Sequence, residues 1–251
     1  MEFVILTGTS RGLGAALAGR LLSPSRHLVC IARSPNDALA ARARTVGAAL
    51  DYRLHDLADL EATERLAHAL GDALRAAAGV SRFVLINNAG VVEPIGRVES
   101  LRAAALARAL QVNVAAPMLL TAAFLSATAS SGAERCILNL SSGAGRYPVA
   151  GWSAYCSAKA ALDLFTRCIA AEHAGQPNPP RVCSLAPGIV DTGMQAAIRA
   201  ADPADFPPVE RFRKLAADGA LAAPAEAAER ILAYLDRADF GEREIDDIRE
   251  H

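Results

Sequence analysis

Short apolar runs alternate with helical segments along the whole chain, and this alternation constrains the fold most strongly. Each apolar run is followed by a segment whose apolar residues recur at helical spacing. Alternating strands and helices form a parallel sheet with helices on both faces, and we therefore predict a single α/β domain over residues 1–251, doubly wound around such a sheet. The predicted strands are Phe3–Leu6, His27–Ala32, Tyr52–Leu54, Arg82–Ile86, Cys136–Leu140, Val182–Leu185 and, as a further candidate, Arg243–Asp246.

Composition excludes several classes of protein. A net charge of −1 gives no electrostatic reason to expect a nucleic acid or an anionic membrane as partner. No apolar run is expected to be long and uninterrupted enough to span a bilayer, and no secretory signal precedes the first strand. The five cysteines are widely spaced without a CxxC pair, so neither disulfides nor a metal site is predicted. We expect a soluble protein of the cytoplasm.

A glycine-rich turn follows the first predicted strand. The sequence TGTSRGLG places Gly8, Gly12 and Gly14 between the strand and a helix. Without Cβ atoms, such a turn and the helix N-terminus can approach a pyrophosphate closely. The glycine spacing alone fits an ordinary tight turn equally well, but its place after the first strand favours a Rossmann-like dinucleotide site. The residues predicted to bind the cofactor here are Gly8, Ser10, Arg11, Gly12, Leu13 and Gly14.

The end of the second strand indicates which dinucleotide is bound. Proteins of this architecture that use NAD place an acidic residue there for the ribose, whereas an arginine suits a 2′-phosphate. The strand ends in Ala32-Arg33-Ser34 without an acid, and Arg11 is expected to reach the same region. This pattern favours NADP(H), although both arginines could simply be solvated.

Other predicted strands also end in polar or glycine-containing turns. Ligands bind beyond the carboxyl ends of parallel strands, so these turns are candidates for the cofactor site. Simpler interpretations also remain open: Asn87-Asn88-Ala89-Gly90 could be an ordinary turn, and Asp56 could cap the following helix. The predicted cofactor contacts in these turns are Asp56, Leu57, Asn88, Ala89, Gly90, Pro187, Gly188, Val190 and Thr192.

A serine, a tyrosine and a lysine form a candidate proton-transfer site. Tyr155 and Lys159 are four residues apart and share one face of a predicted helix, and Ser142 ends the fifth strand. A lysine beside a tyrosine favours the phenolate, so we expect the phenol pKa to lie below its usual value. Ser142 can donate to a carbonyl oxygen while Tyr155 delivers a proton. These residues supply no electrons, so the redox cofactor is expected to bind beside them, in contact with Tyr155 and Lys159.

Taken together, the motifs resemble those of the short-chain dehydrogenases/reductases. The resemblance rests on the glycine turn, the Asn-Asn-Ala-Gly turn, Pro187-Gly188 and the Tyr155-x3-Lys159 pair, in that family's order over nearly the whole chain. It implies a nicotinamide cofactor and a catalytic tetrad of Asn113, Ser142, Tyr155 and Lys159. In the family, the residue matching Asn113 holds a water that links the lysine to solvent. The resemblance also implies a homodimer or homotetramer formed through two long helices.

A narrower resemblance is to sepiapterin reductases and bacterial benzil reductases. It rests on the Gly151-Trp152-x2-Tyr155-Cys156 segment, on Ala186–Gln195 and on the Ile245-Asp246-Asp247 strand. It implies NADPH-dependent reduction of a small-molecule carbonyl substrate, which we expect to be a vicinal dicarbonyl such as a pterin or aryl diketone. Asp246 matches a position that anchors a pterin, although a solvated acid fits this position equally well. The substrate contacts predicted are Ser142, Trp152, Tyr155 and Asp246.

Two alternatives remain open at this stage. The enzyme could be a broad ketone, steroid or 3-oxoacyl-thioester reductase. It could instead be an NADP-sensing binding protein without turnover, although the presence of both Tyr155 and Lys159 disfavours this.

The segment from about 193 to 222 follows the cofactor site and is predicted to be a substrate lid.

Overall fold

The computed structural model describes all 251 residues and contains one seven-stranded sheet in which every neighbouring pair of strands is parallel. The strand order is β3-β2-β1-β4-β5-β6-β7. Strands β1 and β4 are neighbours at the centre. From β1 the strands are added towards one edge of the sheet, and from β4 they are added towards the other edge. The strands are β1 Glu2–Thr7, β2 Arg26–Ala32, β3 Ala49–Leu54, β4 Arg82–Asn87, β5 Glu134–Leu140, β6 Arg181–Ala186 and β7 Ile245–Asp247.

Helices cover both faces of the sheet and bury two separate apolar clusters. One cluster joins the sheet to helices α1, α2 and α9, and the other joins it to α3, α5 and α6. Buried on both faces, the central strands are almost continuously apolar, as expected for a parallel sheet. The helices are α1 Gly12–Leu21, α2 Asp37–Val46, α3 Leu60–Ala76, α4 Ala103–Leu110, α5 Ala116–Thr128, α6 Ser153–His173, α7 Gly193–Arg199, α8 Val209–Ala217 and α9 Pro224–Leu235.

The prediction of a doubly wound parallel sheet is confirmed, with differences at the ends of elements. The first helix begins at Gly12, inside the glycine turn, whereas its apolar spacing predicted a start near Ala15. The third strand begins at Ala49, three residues before the predicted Tyr52. Its residues are half-buried or exposed because it lies at the edge of the sheet, so its apolar signal is weak.

The apolar spacing of the sequence predicts one long helix from Leu101 to about Ala127, with a kink at Pro117. The structure has two α-helices there, joined by a wider π turn over Gln111–Ala115. Pro117, which predicted a kink, is in the first turn of α5, directly after the π turn. Proline cannot donate to the preceding turn of an α-helix, so the hydrogen-bonding pattern changes next to it. Asn113, a member of the predicted tetrad, lies inside this irregular turn. Such π-bulges are frequently found at functional sites.

This continuous helical stretch, Ala103–Thr128, is long and apolar enough to cross a membrane when judged by length and composition alone. The expectation that no such run exists is therefore wrong. In this structure 44% of its most apolar window is buried, and α5 packs against α3 and the sheet. The buried core helix of a water-soluble protein meets the same criteria.

Candidate active site

A cavity of about 930 Å³ opens at the carboxyl edge of the sheet. It is lined by the turns that follow β1 to β6, by the first half of α6, by α7 and α8, and by residues after β7. All the residues predicted to bind cofactor or substrate lie along it except Asp246, and of the predicted tetrad only Asn113 is not on its wall. The sequence motifs therefore meet in one place, as the rule for parallel sheets predicts.

The glycine turn is shaped by close backbone approach. Gly8 and Gly12 have φ values of +76° and +58°, which L-residues with side chains rarely adopt. A Cβ atom on Gly14 would lie 2.0 Å from the Gly8 carbonyl oxygen, so only glycine lets α1 approach β1 this closely. No side chain caps α1, and its first N–H groups are left to face the cavity, where they suit an anion.

Thr7 and Asn88 hold the ends of β1 and β4 together beneath the turn. The Thr7 hydroxyl accepts hydrogen bonds from the backbone N–H groups of Asn88 and Ala89, at 3.0 and 2.9 Å. In return, Asn88 Nδ2 donates to the Thr7 carbonyl at 2.8 Å. The Asn-Asn-Ala-Gly segment is therefore the end of β4 and an irregular stretch tied to β1, which together fix the floor of the cavity.

The two arginines predicted to act together lie in different places. Arg33 is exposed and follows β2 on the cavity wall, as predicted. The guanidinium carbon of Arg11 is instead 3.9 Å from where a Cβ on Gly193 would lie, beside the first turn of α7. The expectation that Arg11 reaches the same region as Arg33 is therefore corrected: its side chain extends towards the lid.

Asp56 does not cap the helix that follows it. Asp59 is the N-cap of α3, accepting from the Ala62 N–H at 2.9 Å. Asp56 accepts from the Ala58 N–H at 3.1 Å and forms an ion pair with Arg108 on α4 at 3.2 Å. Burial opposes ionisation of this carboxyl, yet these hydrogen bonds bring its pKa below the usual value.

Tyr155 and Lys159 are on one face of α6, as the four-residue spacing predicts. Both are almost fully buried, and Lys159 Nζ lies 5.8 Å from the centre of the tyrosine ring. Lys159 Nζ donates to the Leu140 carbonyl at the end of β5, at 2.8 Å. A Cβ on Gly145 would lie only 2.9 Å from the Lys159 carbonyl carbon, so this glycine lets the turn bearing Ser142 approach α6.

The prediction that the lysine lowers the phenol pKa is wrong for this structure. Burial raises the pKa of Tyr155 to about 12, and the nearby Ser142 hydroxyl only partly offsets this. Burial also lowers the pKa of Lys159 to about 8, with Asp163 opposing the change. Both shifts have the same cause, because a water-poor pocket disfavours a charged group of either sign. At neutral pH the phenol therefore carries its proton.

Asn113 acts on the backbone that follows β4. Its Oδ1 accepts from the Val91 N–H at 2.9 Å, and its Nδ2 donates to the Val91 carbonyl at 2.8 Å. A Cβ on Gly90 would lie 3.1 Å from Asn113 Oδ1 and 3.6 Å from Lys159 Nζ, so the two side chains meet over this glycine. Asn113 is thus behind the cavity wall, next to the lysine.

Trp152 forms the centre of an aromatic wall. It stacks on Phe206 at 4.8 Å between ring centres, meets the Tyr155 ring edge-on at 5.4 Å and lies 5.3 Å from the Phe212 ring. Phe206 and Phe212 belong to the predicted lid segment, which contains α7 and α8 and packs over this side of the cavity. Trp152 therefore borders the cavity, as predicted, and is at the same time buried in a small core.

Asp246 does not reach the cavity, which corrects its prediction as a substrate contact. Its carboxylate accepts from the Tyr234 hydroxyl at 2.7 Å and pairs with His251 at 2.9 Å. Successive strand residues face opposite sides, so the neighbouring Asp247 faces the cavity instead. The Asp247 carboxylate is bound by two nitrogens of the Arg249 side chain, at 2.6 and 2.9 Å.

Several cavity residues were not found from the sequence. Arg108 carries no motif signal, since it resembles the other arginines of an exposed helix face. Asp247 could have been found only by knowing which residues of a three-residue strand face inward. The lid side chains depend on packing between distant segments. The lining residues missed outside the predicted lid include Arg108, Arg146, Asp247 and Arg249; within the lid, Met194, Gln195, Ile198 and Phe212 line the cavity without having been singled out.

The residues present fit a dinucleotide. The uncapped N-terminus of α1 and the three glycines of the first turn form a cradle that Cβ atoms would obstruct, and Arg33 lies at the far end of the same cavity. In a doubly wound sheet this is where the pyrophosphate and the ribose of such a cofactor are held. The cavity also continues past Tyr155 to the aromatic wall, which leaves room for a substrate.

Comparisons with known proteins agree with this geometry. Benzil reductase ((S)-benzoin forming) from Bacillus cereus is 36% identical over 245 residues, covering 98% of each chain. Sepiapterin reductase from Mus musculus is 32% identical and covers 94% of this chain and 92% of its own. The structure of a short-chain dehydrogenase from Sphingobium yanoikuyae in complex with NADPH superposes with a TM-score of 0.76 at 27% identity, covering 100% of this chain and 89% of that one. The model of the short chain dehydrogenase family matches residues 2–203, and the chain therefore belongs to this family of oxidoreductases, which use a nicotinamide cofactor and act on an alcohol or carbonyl group.

Proposed function

We propose that the chain is an NADPH-dependent carbonyl reductase whose substrate is a vicinal dicarbonyl flanked by aromatic groups. One observation carries the proposal: a protonated, buried Tyr155 lies in one continuous cavity between the glycine turn and the aromatic wall of Trp152. A proton donor is thus placed where a cofactor and an apolar ketone can meet.

The proposed chemistry divides between the cofactor and the chain. Bound NADPH would supply a hydride to the carbonyl carbon. Tyr155 donates its phenolic proton to the carbonyl oxygen as general acid, and Ser142 orients that oxygen by a hydrogen bond. Lys159 is charged near neutral pH and stabilises the phenolate that the transfer leaves. Asn113 holds Val91 and supports the wall beside the lysine.

The phosphorylated cofactor is favoured by charge at the end of β2. Arg33 is exposed on the cavity wall there, and no acidic side chain follows this strand directly. A guanidinium group suits a 2′-phosphate, whereas NAD binding calls for a carboxylate at this place. The NADPH complex of the Sphingobium relative is consistent with this choice.

An aryl diketone is favoured over a pterin because the two carboxylates of β7, Asp246 and Asp247, are already paired. Asp246 is bound by Tyr234 and His251, and Asp247 is bound by Arg249. Neither is free to accept the hydrogen bonds of a pterin's guanidine-like edge. The wall beside Tyr155 is instead apolar and aromatic, with Trp152 at its centre, and the benzil reductases among the relatives have names that denote a diaryl diketone substrate.

The assembly that we propose is a homodimer or homotetramer formed through α4–α5 and α6. The outer faces of these helices carry apolar side chains that a monomer leaves in water, including Leu110 and Leu164, which are 39% and 62% exposed. Sedimentation of the purified protein at several concentrations would measure the state. A monomer at micromolar concentration would contradict this assignment and leave the catalytic proposal intact.

The catalytic proposal is tested by NADPH oxidation with a panel containing benzil, sepiapterin, a simple ketone, a steroid ketone and a 3-oxoacyl thioester. We expect benzil to give the highest kcat/KM and Tyr155→Phe to lower kcat by about 10²- to 10⁴-fold, the usual contribution of a positioned general acid. Tyr234→Phe is the matched control, since it removes a buried hydroxyl that lies outside the cavity.

Three results would contradict the proposal in different ways. Unchanged turnover in Tyr155→Phe would exclude the assigned proton donor. Fastest turnover of a simple ketone, steroid or thioester would support a broad reductase instead. Tight NADPH binding without reduction of any carbonyl would point to a sensing protein on the same fold.

A further inference from the structure

We propose that Arg108 sets the preference for NADPH by neutralising Asp56, a carboxylate that would otherwise repel the 2′-phosphate beside Arg33. The inference rests on the proposed use of NADPH. It assigns a specificity role to a side chain of α4, which is distant in sequence from both the glycine turn and the end of β2.

Strand register and the cavity lining bring Arg33 and Asp56 to the same end of the cavity. Strands β2 and β3 pair with Ala32 opposite Leu54, and the His55 N–H donates to the Ala32 carbonyl at 2.8 Å. Arg33 therefore continues the register opposite His55, and Asp56 is one residue further along, where both segments leave the end of the sheet. Both Arg33 and Asp56 line the cavity, and the positive charge of Arg33 contributes to the low pKa of Asp56.

This arrangement brings an acid into a site proposed for a phosphate. A phosphate monoester carries about −1.5 to −2 charges at neutral pH. Asp56 is ionised there, since its pKa lies below the usual value. Arg33 alone would have to offset both anions, so without a further cation this end of the cavity would carry net negative charge once the cofactor is bound.

Arg108 supplies that cation from the other side. Its Nη2 lies 3.2 and 3.4 Å from the two Asp56 oxygens, and Arg108 also lines the cavity. Both side chains are about two-fifths exposed, so the pair contributes little to folding stability. Its electrostatic effect on a nearby dianion is larger, because the added phosphate interacts with a neutral pair instead of a lone carboxylate.

The test compares Arg108→Gln, Asp56→Asn and the double variant of the full-length protein, using kcat/KM for NADPH and for NADH with one diketone. The Kd of each cofactor, measured by isothermal titration without substrate, should change in parallel. In Arg108→Gln we expect kcat/KM for NADPH to fall on the order of tenfold further than kcat/KM for NADH, because only NADPH carries the dianion. The double variant should recover most of the NADPH preference, since Asp56→Asn removes the charge that Arg108 offsets. Arg108→Lys should keep the preference.

Salt provides a further measurement. The NADPH-specific loss in Arg108→Gln should shrink as ionic strength rises from about 0.01 to 1 M, because the Debye length falls from about 30 to 3 Å. Equal losses for both cofactors would overturn the proposal. So would a loss in Arg108→Gln that persists in the Asp56→Asn background, which would mean that Arg108 contacts the phosphate directly.

The outcome also separates this inference from the proposed function. A wild-type enzyme that prefers NADH would contradict both. A wild-type enzyme that prefers NADPH, combined with an Arg108→Gln variant of unchanged cofactor preference, would overturn only the role of Arg108. Arg33→Gln should lose NADPH preference in either case, which makes it the reference for a direct phosphate contact.

Discussion

The two halves of the cavity are built in different ways. The cofactor half, from the glycine turn to Arg33, consists of backbone turns at strand ends, held by hydrogen bonds such as those between Thr7 and Asn88. The substrate half, around Trp152, consists of side chains from α6 and the lid segment packed against one another. Tyr155 and Lys159 lie where the halves meet.

This difference determines how each half tolerates change. Backbone turns depend on a few positions that only glycine or a short polar residue can occupy. The shape of the cofactor site is therefore determined at those positions. An aromatic cluster can repack with other large apolar side chains, so its composition can vary while the fold is kept. We therefore expect the cofactor site to be rigid and the substrate site to be the adaptable part of the enzyme.

The largest effect is expected from Phe206→Ala. Phe206 is fully buried and stacks on Trp152, and removing such a ring costs about 3–5 kcal/mol of unfolding free energy. Because the lid loses its contact with the aromatic wall, KM for the diketone should rise several-fold while KM for NADPH stays within about twofold. Urea unfolding and steady-state kinetics measure the two effects.

Phe124→Ala is the matched control for this variant. Phe124 is equally buried, but in the cluster between α5 and the sheet. It should lose a similar free energy and leave both KM values near those of the wild type. If Phe206→Ala raised KM for NADPH as much as KM for the diketone, the two halves would not be independent.

The next largest effect concerns Lys159, where the halves meet. Burial lowers its pKa from 10.5 to about 8, and this corresponds to about 3 kcal/mol of destabilisation wherever the lysine is charged in both states. Lys159→Met removes that cost together with one hydrogen bond to Leu140, worth about 1 kcal/mol. The inactive variant should therefore be about 2 kcal/mol more stable than the wild type at pH 7.

The sign of the pH dependence follows from the lowered pKa. Between pH 8 and 10.5 the unfolded state holds more protons on this lysine than the folded state does. The unfolding free energy of the wild type therefore rises relative to that of the variant as pH rises. Above pH 10.5 the lysine is neutral in both states, and only its hydrogen bond to Leu140 distinguishes the two proteins. The variant should therefore be slightly less stable than the wild type there. A stability difference that does not change with pH would show that Lys159 is not desolvated.

The sequence predicted the cofactor half far better than the substrate half. Strand ends converge by topology, so Gly14, Asn88 and Ser142 could be assigned to one cavity from their order in the chain. The same reasoning failed for Asp246, because a short edge strand gives no indication of which residues face inward. It also failed for the phenol pKa, since burial outweighs the lysine in a way that spacing does not reveal.

The lid illustrates the physical limit most clearly. The segment itself was predicted, but the contact of Phe206 with Trp152 joins residues more than fifty positions apart. Periodicity indicates that a face is buried without indicating against what. Arg108 is a similar case, since its partner Asp56 is determined by how α4 crosses the end of β3. Such pairings follow from the assembled fold.

The smallest of these effects is expected from Gly14→Ala in the cofactor half. Alanine favours a helix over glycine by about 1 kcal/mol, so propensity alone predicts stabilisation. The new Cβ would, however, lie 2.0 Å from the Gly8 carbonyl oxygen and 2.5 Å from Asn88 Nδ2. Moving this backbone should cost more than the propensity gain, leaving a net loss of about 1 kcal/mol in unfolding free energy and a raised KM for NADPH.

Gly19→Ala separates these two contributions within the same helix. Its nearest neighbour would be the flexible end of Arg42, 3.5 Å away, so only the propensity term acts and the variant should be stabilised by about 0.5–1 kcal/mol. If the same substitution changed the unfolding free energy with opposite signs at these two positions, five residues apart in α1, the close backbone approach at Gly14 would be the cause. A general property of the helix would not explain why the cofactor half resists substitution. If Gly14→Ala were stabilising and bound NADPH normally, the cofactor half would be as adaptable as the substrate half, and the contrast between them would fail.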